Sequence, residues 1–152
     1  MLDLLVLFLP LTFSSVLMSF GQQLVNAGIS RMLEPELSLA AYGVVLNVSV
    51  TIEAPIIVML HAANALVRDP ASYRRVFIFM VIAGAGLSLL HAVVAFTPLY
   101  HLVFQGWIGL PAEVAAAGRT GFQLMTPWTF AIAWRRFYQG VVVGHGLTSV
   151  VG

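Results

Sequence analysis

The chain has 152 residues, of which 60% are hydrophobic and 9% charged, with a formal net charge of +1. Soluble domains carry roughly 25% charged residues, so this composition is that of an integral membrane protein. The small net charge argues against nucleic-acid binding, which needs a basic face, and the lack of cysteine excludes disulfides, thiolate metal sites and cysteine nucleophiles.

The N-terminus, MLDLLVLFLPLTF, has neither a positive leader region nor a small-residue cleavage site, so it reads as a first span and not as a signal peptide. That span covers residues 4–29. Pro10 lies in its first turns, which membrane helices accept where neighbouring groups satisfy the freed backbone. Thr12, Ser15, Ser19, Gln22 and Asn26 recur at steps of three and four and so share one helical stripe. Lipid disfavours such a stripe, which therefore faces inward. It either hydrogen-bonds to other helices or lines a substrate path.

A short connection, SRMLEPE, leads through Pro35 to the second span, residues 37–67. Its 31 residues contain no Lys, Arg or Asp and one acid, Glu53. A hydrocarbon core about 30 Å thick needs about 20 helical residues, so the span is long enough to cross with some tilt. Glu53 would lie close to the midplane, where a charge costs roughly 2.5 kcal/mol or more and faces a protein interior or a wet cavity. Pro55 removes a backbone donor and clashes with the Thr51 carbonyl, so the helix should kink or loosen beside the acid. Tyr42, Ser49, Glu53 and Asn64 fall near one line of a regular helix. Asn47-Val48-Ser49 matches a glycosylation sequon but lies too deep to be used. Glu53 either exchanges protons or holds a cation, or it is a structural acid hydrogen-bonded to Gln22, Asn26 or Asn64.

The connection RDPASYRR, residues 68–75, is the most charged segment, with Asp69-Pro70 as a turn start. A third span follows over residues 76–102. Gly84, Gly86 and Ser88 form a small-residue patch for close helix contact. Gly84-Ala85-Gly86 sits inside the span and is not a dinucleotide fingerprint. His91 reads as a hydrogen-bonded packing residue in preference to a ligand. Thr97-Pro98 bends or ends the span, and Tyr100, His101 and Trp107 are expected in an interfacial belt. Residues 105–118 begin with turn formers and continue as an amphipathic piece, with Pro111 near its first turn. The fourth span covers residues 120–140 with Pro127 at its centre, and Trp134 to Tyr138 form an aromatic and basic collar. The glycine-rich tail then stops where a fifth span would begin, so the sequence is expected to be an N-terminal fragment.

The fold class is therefore all-α, a polytopic transmembrane helix bundle of about four spans. Arg68, Arg74, Arg75, Arg135 and Arg136 fall on one side and Arg31 and Arg119 on the other, which places the five, and the N-terminus, in the cytoplasm of an inner membrane. The arginine pairs set topology or collect anionic lipid or substrate. No nucleophile elbow, phosphate-binding loop, zinc-protease motif or His/carboxylate ligand spacing occurs, so no enzyme, metal or cofactor is expected.

FLPLTFSSVLMSFGQQLVNAGISR, residues 8–31, resembles the first helix of the MATE-type exporters, and more closely the progressive-ankylosis-like branch of the multidrug/oligosaccharidyl-lipid/polysaccharide (MOP) flippase superfamily. RRFYQGVVVGHGLTSVV, residues 135–151, resembles the Arg, Gln-Gly and Gly-x-Thr signature joining the fourth and fifth helices there. The resemblance implies two six-helix lobes around a central cavity and export of a small-molecule or anionic substrate in antiport with H⁺ or Na⁺. Many members carry an acid in the first helix, where this chain has Gln22, Gln23 and Asn26, so Glu53 is the deep acid left for coupling. The substrate or ion candidates are Glu53, Gln22, Asn26, Asn64, Ser19 and Ser49, and the expected partners are the bilayer and either the remainder of the transporter or further copies. The alternatives are a small homo-oligomeric membrane protein and a structural subunit that does not transport.

Overall fold

A computed structural model describes residues 2–145, with side chains from Thr12 onward except those of Ser14, Ser15 and Met18. The side chain of Ser15 in the stripe and the last residues of the C-terminal motif, from 146 on, lie outside what is described. All regular structure among the described residues is helical: α1 (Leu2–Ile29), α2 (Pro35–Ile57), α3 (Met59–Leu66), α4 (Pro70–Phe96), the single turn α5 (Leu99–His101), a π-helical turn (Leu102–Trp107), α6 (Ala112–Leu124) and α7 (Thr126–Gly144). Pro35–Leu66 and Pro70–Phe96 are long and apolar enough to cross a membrane.

The third span starts earlier than its hydrophobic run, at Pro70 and not at residue 76. Asp69 is the N-cap and accepts from the amides of Ala71 and Ser72, each at 2.8 Å, while the Asp69 amide donates back to Ser72 Oγ at 3.0 Å. This reciprocal box, with proline at the first helical position, turns the charged "loop" into the first turns of α4. The helix ends at Phe96, with Thr97 extended before Pro98.

Two helices are interrupted by proline. Pro55 has no N–H to give to Thr51, and three residues on a turn at Val58 separates α2 from α3. The expected single fourth span is likewise two helices, α6 and α7. Pro127 occupies the first turn of α7, and the break falls at Met125. On the outer face of α2, Asn47 donates to the Gly43 carbonyl at 2.7 Å and Thr51 to the Asn47 carbonyl at 2.8 Å, so these polar groups are satisfied by their own helix.

In lipid, helices associate by close packing and not by hydrophobic transfer, and glycine sets how closely they approach. Antiparallel to α4, α7 lies with Ala133 against Gly84 and Phe137 edge-on to Tyr73 and Phe77 at 5.4 and 5.6 Å. Gly140 meets the Leu60 carbonyl and Ala63 of α3 where a Cβ would collide, and Gly118 of α6 faces Val45 and Ala41 of α2. Of the small-residue patch, Gly84 is used in this way. Gly86 is exposed with nothing within 4 Å of a Cβ. At the far end of α4, Tyr100 is not interfacial but fully buried. Its hydroxyl donates to the Ala115 carbonyl at 2.7 Å and its ring stacks on Phe104 at 4.3 Å. Helix α1 packs mainly on α2 and presents Phe13, Leu17, Phe20 and Leu24 outward.

Candidate functional site

A buried polar chain crosses three helices between the two proline breaks. Glu53, two residues before Pro55, is 4% exposed, and Thr129, two residues after Pro127, and His91 are fully buried. Thr129 Oγ1 lies 3.5 Å from Glu53 Oε1 and 3.0 Å from His91 Nδ1. The other ring nitrogen, His91 Nε2, is 3.1 Å from the carbonyl oxygen of Phe122. A carbonyl only accepts, so Nε2 carries a hydrogen and donates. The ring is held against Phe122 at 4.2 Å between centroids. One turn before Glu53, the buried hydroxyl of Ser49 donates to Met125 Sδ at 3.6 Å, in the break between α6 and α7. Burial in an apolar interior makes each of these contacts matter, because an unpaired polar atom there has no water to fall back on.

Of the residues singled out in the sequence, Glu53 and Ser49 share this face. The others do not join it. Gln22 donates to the Tyr42 hydroxyl at 2.7 Å, eleven residues from Glu53 in the chain, and Asn26 lies one turn further along α1. Ser19 is exposed. Asn64 sits against Gly144, about 16 Å along the helix pair from Glu53 at 1.5 Å per residue. The partner of the acid is thus Thr129, in place of the three amides expected. Nor is the chain at mid-depth throughout. His91 is five residues from the end of α4, so the chain runs from near the middle of Pro35–Leu66 toward the end that carries Arg119.

Beside it, a cavity of about 390 Å³ opens between α1, α2 and α6, lined by Ile29, Met32, Tyr42, Val45, Gly118 and Met125. Met125 borders the cavity and accepts from Ser49, so one side chain separates this largely apolar space from the face that carries Glu53.

The family model for the progressive ankylosis protein (ANKH) matches residues 1–152. The chain belongs to the ANKH family. That family consists of multi-pass membrane proteins, which together with the two apolar helices places this member in a membrane. No solved structure matches it.

The arginines of this ANKH-family chain gather at the two ends of the bundle. Arg68 precedes α4 and donates to the Ala65 carbonyl at 3.1 Å, and Arg74 and Arg75 occupy the first turns of α4. The Tyr73–Phe137 contact brings Arg135 and Arg136 of α7 to the same level. At the opposite end Arg119 reaches His101 at 3.5 Å and lies 5.8 Å over the Tyr100 ring. Arg31 lies at that end too, in the turn before α2.

Thr129 and His91 are the members of this buried chain that are not among the site candidates read from the sequence. His91 was legible as a lone titratable group in an apolar span, with nothing in the sequence to name its partner. Thr129 carries one local signal, its place just inside a proline-started helix.

Proposed function

We propose that this protein is part of a secondary active transporter of the MATE-like, MOP-superfamily kind, exporting a small-molecule or anionic substrate by alternating access in antiport with a cation. The observation that carries this reading is a carboxyl held inside the bundle at a broken helix and tied to groups on two further helices. A carboxyl at membrane depth is costly, and one placed beside a helix break and linked through Thr129 to a titratable imidazole is suited to exchange an ion as access alternates. The surroundings of Glu53 favour H⁺ over Na⁺. A hard cation collects several oxygen ligands, and here the neighbours are one hydroxyl and, beyond it, an imidazole.

In this reading the helices form part of one lobe of an inner-membrane protein with a cytoplasmic N-terminus. Its four crossings are α1, α2 with α3, α4, and α6 with α7. The cavity beside Tyr42 and Met125 belongs to the substrate path. Arg68, Arg74, Arg75, Arg135 and Arg136 lie on the cytoplasmic side, where they draw anionic lipid or substrate toward it.

The test, made on the whole transporter of which this chain is proposed to be part, is gradient-driven export from proteoliposomes loaded with a panel of labelled organic anions and cations, under an imposed pH or Na⁺ gradient. Glu53→Gln, which keeps size and removes the charge, is expected to abolish the stimulation by a pH gradient. Export that responds to the gradient as in the unmodified protein overturns the assignment. Absence of export of every compound favours a structural membrane subunit.

A further inference from the structure

The contacts around His91 fix how many protons the buried chain holds. The Nε2–H is committed to the Phe122 carbonyl, so Nδ1 is the ring atom whose state is free to change. Thr129 has one hydroxyl hydrogen and stands between two atoms that both accept when unprotonated, His91 Nδ1 and Glu53 Oε1. With neither protonated, Thr129 satisfies one and leaves the other bare. With both protonated, either two donors meet at Thr129 Oγ1, whose own hydrogen then has no acceptor among the three, or the Glu53 hydrogen sits on the other carboxyl oxygen, with no partner among them. One proton satisfies Glu53 Oε1, Thr129 Oγ1 and His91 Nδ1 together, and does so in two ways. In the first, Glu53 O–H donates to Thr129, and Thr129 O–H donates to His91 Nδ1. In the second, His91 Nδ1–H donates to Thr129, whose O–H donates to the Glu53 carboxylate. Passing from one to the other moves the Glu53 proton onto Thr129 Oγ1 while the Thr129 proton moves onto Nδ1. No proton is gained or lost, and one positive charge shifts from α2 to α4.

We infer that Glu53, Thr129 and His91 bind a single shared proton as one unit. This deepens the transport reading and rests on it only for the use made of the proton. The weak link is already the one at Glu53: 3.5 Å is long for an O–H···O contact, whereas the two His91 contacts are 3.0 and 3.1 Å.

Among the described residues, no other ionisable group of the packed helices is placed to take over. On α6, Arg119 is engaged at the end of the bundle with His101 and Tyr100, and Glu113 lines a surface cleft with Glu34 and Glu36. On α7, Arg135, Arg136 and Tyr138 lie six or more residues past Thr129, toward the other end, where Tyr73 of α4 also sits. His61 of α3 is exposed, and Arg74 and Arg75 of α4 sit at its start. The nearer uncharged polar groups are Ser49, bonded to Met125, Gln123, bonded to the Ala95 carbonyl at 3.3 Å, and the buried hydroxyls of Ser88 and Thr126.

The experiment needs no substrate. The protein is prepared in nanodiscs with ¹⁵N-labelled histidine and titrated, following the His91 nitrogens by NMR and the Glu53 carboxylic carbonyl stretch by infrared difference. His91→Gln and Glu53→Gln assign the two signals among the four histidines and the other acids. The expected result is that Nε2 stays protonated throughout, while the Glu53 band and the Nδ1 shift change together at one midpoint, as a macroscopic step of the pair. Thr129→Ser keeps the common midpoint, and Thr129→Val splits it into two. Separate midpoints in the unmodified protein, or an unprotonated Nε2, overturn the inference without any variant having to fold. Coincident midpoints that survive Thr129→Val overturn it as well. Should the shared proton be found while export ignores a pH gradient, this inference stands and the transport reading fails.

Discussion

Replacing Gly140 by alanine tests the closest approach in the bundle. Inside a helix, alanine is ordinarily favoured over glycine by about 1 kcal/mol. At Gly140, however, the new Cβ falls on the Leu60 carbonyl oxygen and lies 2.7 Å from the Ala63 Cβ. Both belong to α3, and a backbone carbonyl cannot rotate aside, so α7 has to move off α3. Overpacking against a backbone carbonyl falls in the upper part of the usual range, about 2–3 kcal/mol, which outweighs the helix-propensity gain of about 1 kcal/mol and leaves a net loss of about 1–2 kcal/mol. Gly86 supplies the control, since it lies in α4 with nothing within 4 Å of a Cβ. There the propensity term acts alone, and Gly86→Ala should gain up to about 1 kcal/mol. At about 2–4 °C per kcal/mol for a chain of this length, Gly140→Ala should lower the melting midpoint by about 2–8 °C and Gly86→Ala should raise it slightly. Heating in mild detergent followed by fluorescence-detected size exclusion reads both. A Gly140→Ala protein that melts no lower than the unmodified one refutes the packing of α3 on α7.

Two further predictions concern the ends of the bundle. The amide hydrogen bonds from Ser72 and Ala71, aided by Arg75, hold the Asp69 carboxyl below the usual carboxylate range. A carboxyl lowered on folding contributes stability above its unfolded value of about 3.9 and loses it as pH falls through the folded value. The melting midpoint of the unmodified protein should therefore drop more steeply below about pH 4 than that of Asp69→Asn, an uncharged cap, and parallel acid profiles would contradict the capping box. Tyr100→Phe keeps the stack on Phe104 and removes one bond to the Ala115 carbonyl, which retains its helical partner, so denaturant titration should show a loss of about 0.5–1.5 kcal/mol. An unchanged stability would mean that Tyr100 does face the interface.

The long apolar runs made the helices legible, because a stretch such as Leu37 to Val67 can satisfy its own backbone in lipid only as helix. The ends were harder. Arg68 to Arg75 looks like a loop by charge, and the Asp69-Pro70-Ala71-Ser72 pattern that starts α4 became decisive only with its reciprocal hydrogen bonds. The break beside Pro55 followed from proline chemistry, and the same chemistry at Pro127 splits a helix that hydropathy alone joins. Of the site, Glu53 was legible because burying an acid is costly. His91 and Thr129 were not, since they are 38 residues apart in the chain and their pairing depends on how α4, α6 and α7 pack. The stripe on α1 illustrates the converse. Helical spacing aligns Gln22 and Asn26, but the neighbour that meets them is Tyr42 and not Glu53.

The chain has no cysteine, so Ser49→Cys places a single thiol on the buried face one turn before Glu53 with little change in volume. In sealed vesicles of known orientation, labelling by a membrane-impermeant maleimide from each side, with the pH gradient imposed first in one direction and then in the other, reports which side reaches that face. Alternating access around Glu53 predicts labelling from one side at a time, with the labelled side reversing when the gradient does. A thiol that stays unlabelled under both gradients, or that reacts from both sides at once, contradicts it.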